Sequence, residues 1–250
     1  MAGPELRVGF SICTKASDGM HSIQHQDANG RRREHRGVRI PVDGIELESD
    51  LFLPAAPAGI VILAHGAASS RQSARTAQVA ERLQAAGFAT LRVDLLAADE
   101  GLVTDAARRF DAPLLARRLS DVADWVANDR RTAGLAIGCA AANTAGAAAL
   151  MAAVARPEAV QAVVSRGGGS ELVGDSLDRL QAPALLIVGG MDEWIVRASV
   201  KAMSRIPGVV QLDVLPGESR GFRGPGALEA VTESTVDWFE AHLGGHAHAA

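Results

Sequence analysis

Two cysteines, Cys13 and Cys139, are the whole supply of thiol in 250 residues. One pair cannot build a disulfide framework, which points to a reducing compartment. Long apolar runs are also missing, and no stretch approaches the roughly 20 residues that a membrane-spanning helix needs. The opening stretch MAGPELRVGFSICTKASDGM lacks a basic start followed by an apolar run. No signal peptide is expected, and a cytoplasmic location follows. Charge of one sign is scarce too: the net charge is −4, which gives no reason to expect nucleic acid or an anionic membrane as partner. No His, Cys, Asp and Glu cluster has metal-ligand spacing, and no glycine-rich phosphate loop of known spacing occurs, so neither metal nor other cofactor is expected.

What remains is a chain with 48% hydrophobic and 22% charged residues, long enough for one large α/β domain. Residues 1–36 are polar, lack periodicity and end in the charge run Arg31-Arg32-Arg33-Glu34-His35-Arg36. They read as a flexible N-terminal tail, and residues 244–250 as a C-terminal one. Between them, over 37–243, the pattern is regular. VRIPV (38–42) and IELESDLFLP (45–54) flank Asp43-Gly44, a strong hairpin signal. GIVILAH (59–65) is a β-branched apolar run typical of a strand buried on both faces. Further strands are read at 88–94, 135–140, 160–168, 182–190 and 209–217, and helices at 73–86, 113–128, 144–155, 195–205 and 226–243. Strand–helix alternation after two opening strands predicts a mostly parallel twisted sheet with helices on both faces. Only a short connection joins Ser165 to Ala182, which leaves no room for a large lid domain. Trp125, Trp194 and Trp238 fit helix faces as core anchors.

One strand-to-helix turn has small residues on both sides: Ala141-Ala142-Asn143-Thr144-Ala145. Sharp turns of this kind carry the nucleophile of many α/β enzymes, followed in the chain by an acid and a histidine. Here the central residue is asparagine, whose amide is not a useful nucleophile at neutral pH. Asparagine does tolerate positive φ, and it is a good helix N-cap. The acid position is better filled. Gly189-Gly190-Met191-Asp192-Glu193 closes an apolar strand and puts Asp192 at its C-terminal end, either as the acid or as an N-cap for the next helix. The loop after the last strand reads Pro216-Gly217-Glu218-Ser219-Arg220-Gly221-Phe222, without histidine. Downstream of Asp192 only His242, His246 and His248 remain, and all lie beyond that loop.

From about Val38 to Leu243 the chain resembles the dienelactone hydrolase family of α/β hydrolases. The segments that carry the resemblance are His65-Gly66-Ala67-Ala68-Ser69-Ser70-Arg71, Ala136-Ile137-Gly138 through Leu150, and Val163-Val164-Ser165-Arg166-Gly167-Gly168. Leu186-Ile187-Val188-Gly189-Gly190-Met191-Asp192 and Pro216-Gly217 through Gly226-Ala227-Leu228 complete the set. The resemblance implies an α/β-hydrolase fold and an ester hydrolase. By position, the family's Ser or Cys nucleophile falls on Asn143, its acid on Asp192 and its histidine on Arg220. Arginine stays protonated and cannot serve as a general base. An oxyanion nook built from backbone N–H groups at Thr144 and near Gly66-Ala67 does not depend on those side chains.

Two readings of function stay open. In the first, the chain is a catalytically silent or repurposed member that binds a small anionic or ester-like ligand or a partner. Arg220 would then pair with Asp192 and plug the site, or would receive an anion together with Arg71 or Arg166. In the second, a hydrolase, or a non-covalent lyase or isomerase, works with unconventional residues such as His65 or Cys139. Cys139 lies inside a strand, where small buried thiols are inert, and His65 reads as a residue that shapes the oxyanion loop. Oligomeric state is not legible.

Overall fold

The computed structural model describes residues 13–15, 21–26, 32–67, 70–97, 100 and 110–244, with side chains from Glu34 onward. Among the described residues ten strands form one sheet in the order β1-β2-β3-β4-β6-β5-β7-β8-β9-β10. Its antiparallel end holds β1 (Cys13–Lys15), β2 (His21–Gln26), β3 (Arg32–Val42) and β4 (Ile45–Leu53). The Asp43-Gly44 turn joins β3 to β4 with φ of 51° and 79°, the two positive values of a type I′ hairpin. Antiparallel pairing of β4 with β6 (Ala89–Asp94) leads into a parallel block of β5 (Ile60–His65), β7 (Ile137–Ala142), β8 (Val160–Arg166), β9 (Ala184–Gly189) and β10 (Val210–Leu215). β5 and β9 are buried along their whole length, which is why they read as unbroken β-branched and Leu-rich runs.

Helices cover both faces. On one lie α1 (Ala74–Ala85) and α5 (Ala227–Leu243), which bury Leu83, Val231, Trp238 and Phe239 against Val61, Leu63 and Val164. On the other lie α2 (Ala112–Asn128), α3 (Thr144–Ala155) and α4 (Glu193–Met203), around Leu119, Val122, Leu150 and Ala202. Ser73 and Asp111 cap α1 and α2 by accepting the main-chain N–H of Thr76 and Leu114. The stretch after β8 holds two short 3₁₀ turns, Ser170–Leu172 and Gly174–Arg179, and no inserted domain. No helix among the described residues is long and apolar enough to cross a membrane.

Two expectations need correction. Part of the stretch read as an N-terminal tail is sheet: β2 pairs with β3, and Glu34 and Arg36 of the charge run sit opposite Leu53 and Leu51. Strands toward the open end of a sheet are held by main-chain hydrogen bonds and can carry charged side chains, so no period-two apolar signal announces them. The remaining residues of that stretch, and 245–250, lie outside the described residues. Trp194 is the second case. It is 61% exposed at the start of α4, whose buried stripe runs through Ile195, Ser199 and Ala202. One position off that stripe is a rotation of about 100° around the helix.

Candidate functional site

The C-terminal ends of β5, β7, β8 and β9 meet around the turn from β7 into α3. Asn143, its central residue, has φ 55° and ψ −128°. That pair belongs to the first central position of a type II′ turn, where glycine dominates. The positive φ anticipated from the sequence is therefore present. The expected cap is not: the Asn143 amide makes no hydrogen bond to the first turn of α3. Capping residues ordinarily sit in the β region, from which the side chain folds over the helix end. At positive φ the side chain swings away. The main chain of Asn143 holds the turn instead, donating its N–H to Arg166 O at 2.8 Å and accepting from Ala147 N–H at 3.2 Å.

Gly167 shows what the amide faces. A Cβ built there would lie 2.9 Å from Arg220 O and 3.1 Å from Asn143 Oδ1. The two sequence positions that stand for nucleophile and histidine are thus brought together across one glycine. Gly189, at the end of β9, is a second close approach: a Cβ there would fall 2.4 Å from Glu218 O. The absence of a side chain lets the loop after β10 dock on the end of β9. Asp192 completes the docking, its Oδ2 accepting the Arg220 main-chain N–H at 2.6 Å. The carboxylate does not cap α4. The anticipated ion pair between Asp192 and the Arg220 guanidinium is also absent. A charge-assisted bond to the main chain has taken the carboxylate, and the exposed Arg220 is among the residues that line the cleft.

The cleft has a volume of about 620 Å³ and is walled by Asn143, Thr144, Arg75, Arg166, Arg220 and Arg223, among others. No carboxylate is among its described wall residues. Arg75 Nη2 donates to Gly221 O and Phe222 O at 3.1 and 3.0 Å. Arg166 lies over the Phe222 ring, 6.0 Å from its centre. Burial, reinforced by the nearby Arg75 charge, brings the Arg166 guanidinium down to about 10. Thr144 opens α3, so its N–H is among those without a partner inside the helix. Gly66 abuts the same turn, since a Cβ on it would lie 3.7 Å from Ala145 Cβ. The loop after β5 and the start of α3 therefore lie side by side; Ala67 is the last described residue before Ser70.

Arg71, expected beside Arg220, does not line the cleft. Its guanidinium contacts Glu48 at 2.6 Å, Asp50 at 3.2 Å and Asp94 at 3.5 Å, while its N–H donates to Asp94 Oδ1 at 2.8 Å. Arg75 and Arg223 were not singled out in the sequence; their one signal was a basic residue close to a strand's C-terminal end. Burial pushes His65 down to about 3, helped by the charges of Arg166 and Arg92, so its imidazole is neutral at pH 7. Burial also pushes the Cys139 thiol up to about 12. Ser165 is buried and donates to Gly168 O at 3.1 Å. His242 packs on Trp238 within α5, away from the cleft. No group of three or more His, Cys, Asp or Glu among the described residues is placed to hold a metal ion.

Comparison with solved structures gives strong matches. A crystal structure of dienelactone hydrolase from Anabaena variabilis superposes with a TM-score of 0.81 at 41% identity, covering 88% of this chain and 100% of that one. Est1E from Butyrivibrio proteoclasticus superposes at 0.69 with 19% identity, over 82% of this chain and 98% of its own; that likeness shows the fold. Among curated proteins, a Mycobacterium tuberculosis protein present in two strains is 46% identical over 208 residues, or 83% of this chain. It carries the provisional name phosphoribosyl transferase. The chain spans about half the length of that relative, 46%. No family model matches the chain.

Proposed function

The chain belongs to the dienelactone hydrolase family, and from that membership we propose that it is a member without triad hydrolysis whose cleft holds a small anionic ligand. The observation that carries this reading is the set Arg75, Arg166, Arg220 and Arg223, which faces one cavity with no carboxylate in its described wall. Like charges gathered without counter-charge are unfavourable until an anion neutralises them, and guanidinium forks match phosphate and carboxylate oxygens. The Asn143 amide adds donors at the same wall, and the start of α3 favours negative charge. The name of the Mycobacterium tuberculosis relative is in keeping with a phosphate-bearing ligand. The competing reading, hydrolysis by His65 or Cys139, has to work with an imidazole at about 3 and a thiol at about 12. The thiol is un-ionised at neutral pH, and the imidazole, though neutral, is too weak a base to draw a proton efficiently.

Two measurements test the proposal. With p-nitrophenyl acetate, the chain and Asn143→Ala should turn over equally, because backbone donors alone supply any residual rate. Only the double change Asn143→Ser with Arg220→His should add triad hydrolysis. A wild-type rate that vanishes in Asn143→Ala overturns catalytic silence. In calorimetry, inorganic phosphate should bind, and Arg166→Gln should weaken it about 10-fold or more, the worth of one charge-assisted hydrogen bond. Absence of binding by phosphate and diphosphate overturns the anion site.

A further inference from the structure

Beneath the cleft lies a second, smaller cavity of about 50 Å³, between α1, α5 and the ends of β5, β7 and β8. Arg75, Thr76, Ala142 and Arg166 belong to the walls of both cavities, so the smaller one adjoins the larger. Its remaining walls are chiefly Leu63, Val79, Ala140, Val164 and Val231. The two hydroxyls beside them are spent on the protein itself. Thr235 Oγ1 donates to Val231 O at 2.7 Å, Thr76 Oγ1 donates to Ser70 O at 3.1 Å, and His65 is uncharged at neutral pH. A pocket lined chiefly by apolar side chains holds water poorly and takes apolar groups instead. The run Ala140-Ala141-Ala142 in β7 keeps the space open, because larger side chains there would fill it.

We infer that the ligand of the cleft is an amphipathic anion, with a phosphate-like head among the four arginines and a short apolar group inserted past Arg166 into this slot. The inference rests on the anion-binding reading of the cleft and adds the second half of the molecule. The slot has room for roughly three to five water-sized groups, at 10–15 Å³ of probe space for each. A three- or four-carbon chain, or a branched equivalent, fits. The head is set at the neck, where Arg166 separates the apolar slot from the open cleft, and the chain runs inward from it.

Chain length is the readout. Methyl, ethyl, propyl, butyl and octyl phosphate are titrated against the intact chain alongside inorganic phosphate. Each methylene that enters the slot should tighten binding about fourfold, so butyl phosphate should exceed ethyl phosphate by about 15-fold. Octyl phosphate should gain little more, because the slot is full. Val79→Phe, which fills the slot from α1, should flatten the series while inorganic phosphate binds as before; Val79→Leu should do so partially and guards against misfolding of the larger variant. A series that is flat in the wild type, with phosphate still bound, overturns the amphipathic ligand and leaves the anion site standing. A gain that persists in both Val79 variants places the chain outside the slot and overturns the inference as well. Failure of every phosphate to bind the folded protein overturns both readings.

Discussion

Two groups of arginines stand near the end of β5, and they are matched in opposite ways. On one side Arg71 and Arg92 meet Glu48, Asp50 and Asp94, so the cations are matched by carboxylates from β4 and β6. On the other, Arg75, Arg166, Arg220 and Arg223 share a cavity with no carboxylate in its described wall. The first group ties the loop after β5 to the sheet. On the reading proposed above, the second leaves its charge for a ligand. A buried arginine left unmatched carries an uncompensated desolvation cost, so on that reading the difference separates a structural use from a receiving one.

The contrast can be broken most directly by removing one member of each group. Arg71→Leu should destabilise the protein by about 2 kcal/mol in urea unfolding, because Asp94 loses its guanidinium partner and Asp50 one of its two. Arg166→Leu should leave stability within about 1 kcal/mol of wild type or raise it, because an unmatched cation is removed. Equal losses in both would erase the distinction.

A smaller effect involves His65, which feels both groups. Its folded-state value, about 3, lies below the ordinary 6.5. Between those values the unfolded chain binds a proton that the folded chain refuses. Stability is therefore full above about 6.5 and falls as the pH drops toward 3, by about 1.4 kcal/mol per pH unit from this group. His65→Gln should flatten that acid limb, measured as urea midpoints against pH. The smallest expected effect sharpens the comparison further. In histidine NMR titrations His65 should rise more in Arg166→Leu than in Arg92→Leu, because Asp50 already offsets Arg92 at 3.3 Å. A larger rise from Arg92→Leu would contradict the division.

The sheet was legible because strands buried on both faces, such as Ile60–His65, must be apolar throughout, and the Asp43-Gly44 hairpin has its own turn chemistry. The Asn143 turn was legible for a similar reason, as small residues on both sides mark a tight passage. The arginine groups were not. Whether an arginine is matched depends on carboxylates brought in by folding: Glu48 and Asp50 lie 23 and 21 residues before Arg71. Arg71 thus looked available and is not, while Arg75, four residues later, lines the cleft. The same limit explains Asp192, whose place after β9 was clear but whose partner, the Arg220 main chain 28 residues on, has no side-chain signature.

The backbone at Asn143 also governs what mutation can do there. With φ 55° and ψ −128°, the position screens newcomers by shape before any chemistry is asked of them. Glycine enters freely, and asparagine and aspartate are admitted at modest strain, whereas valine, isoleucine and threonine crowd their own Cβ branches against the chain. A saturation library at this one codon, sorted for soluble protein, should return a short alphabet whether or not any member of it can react.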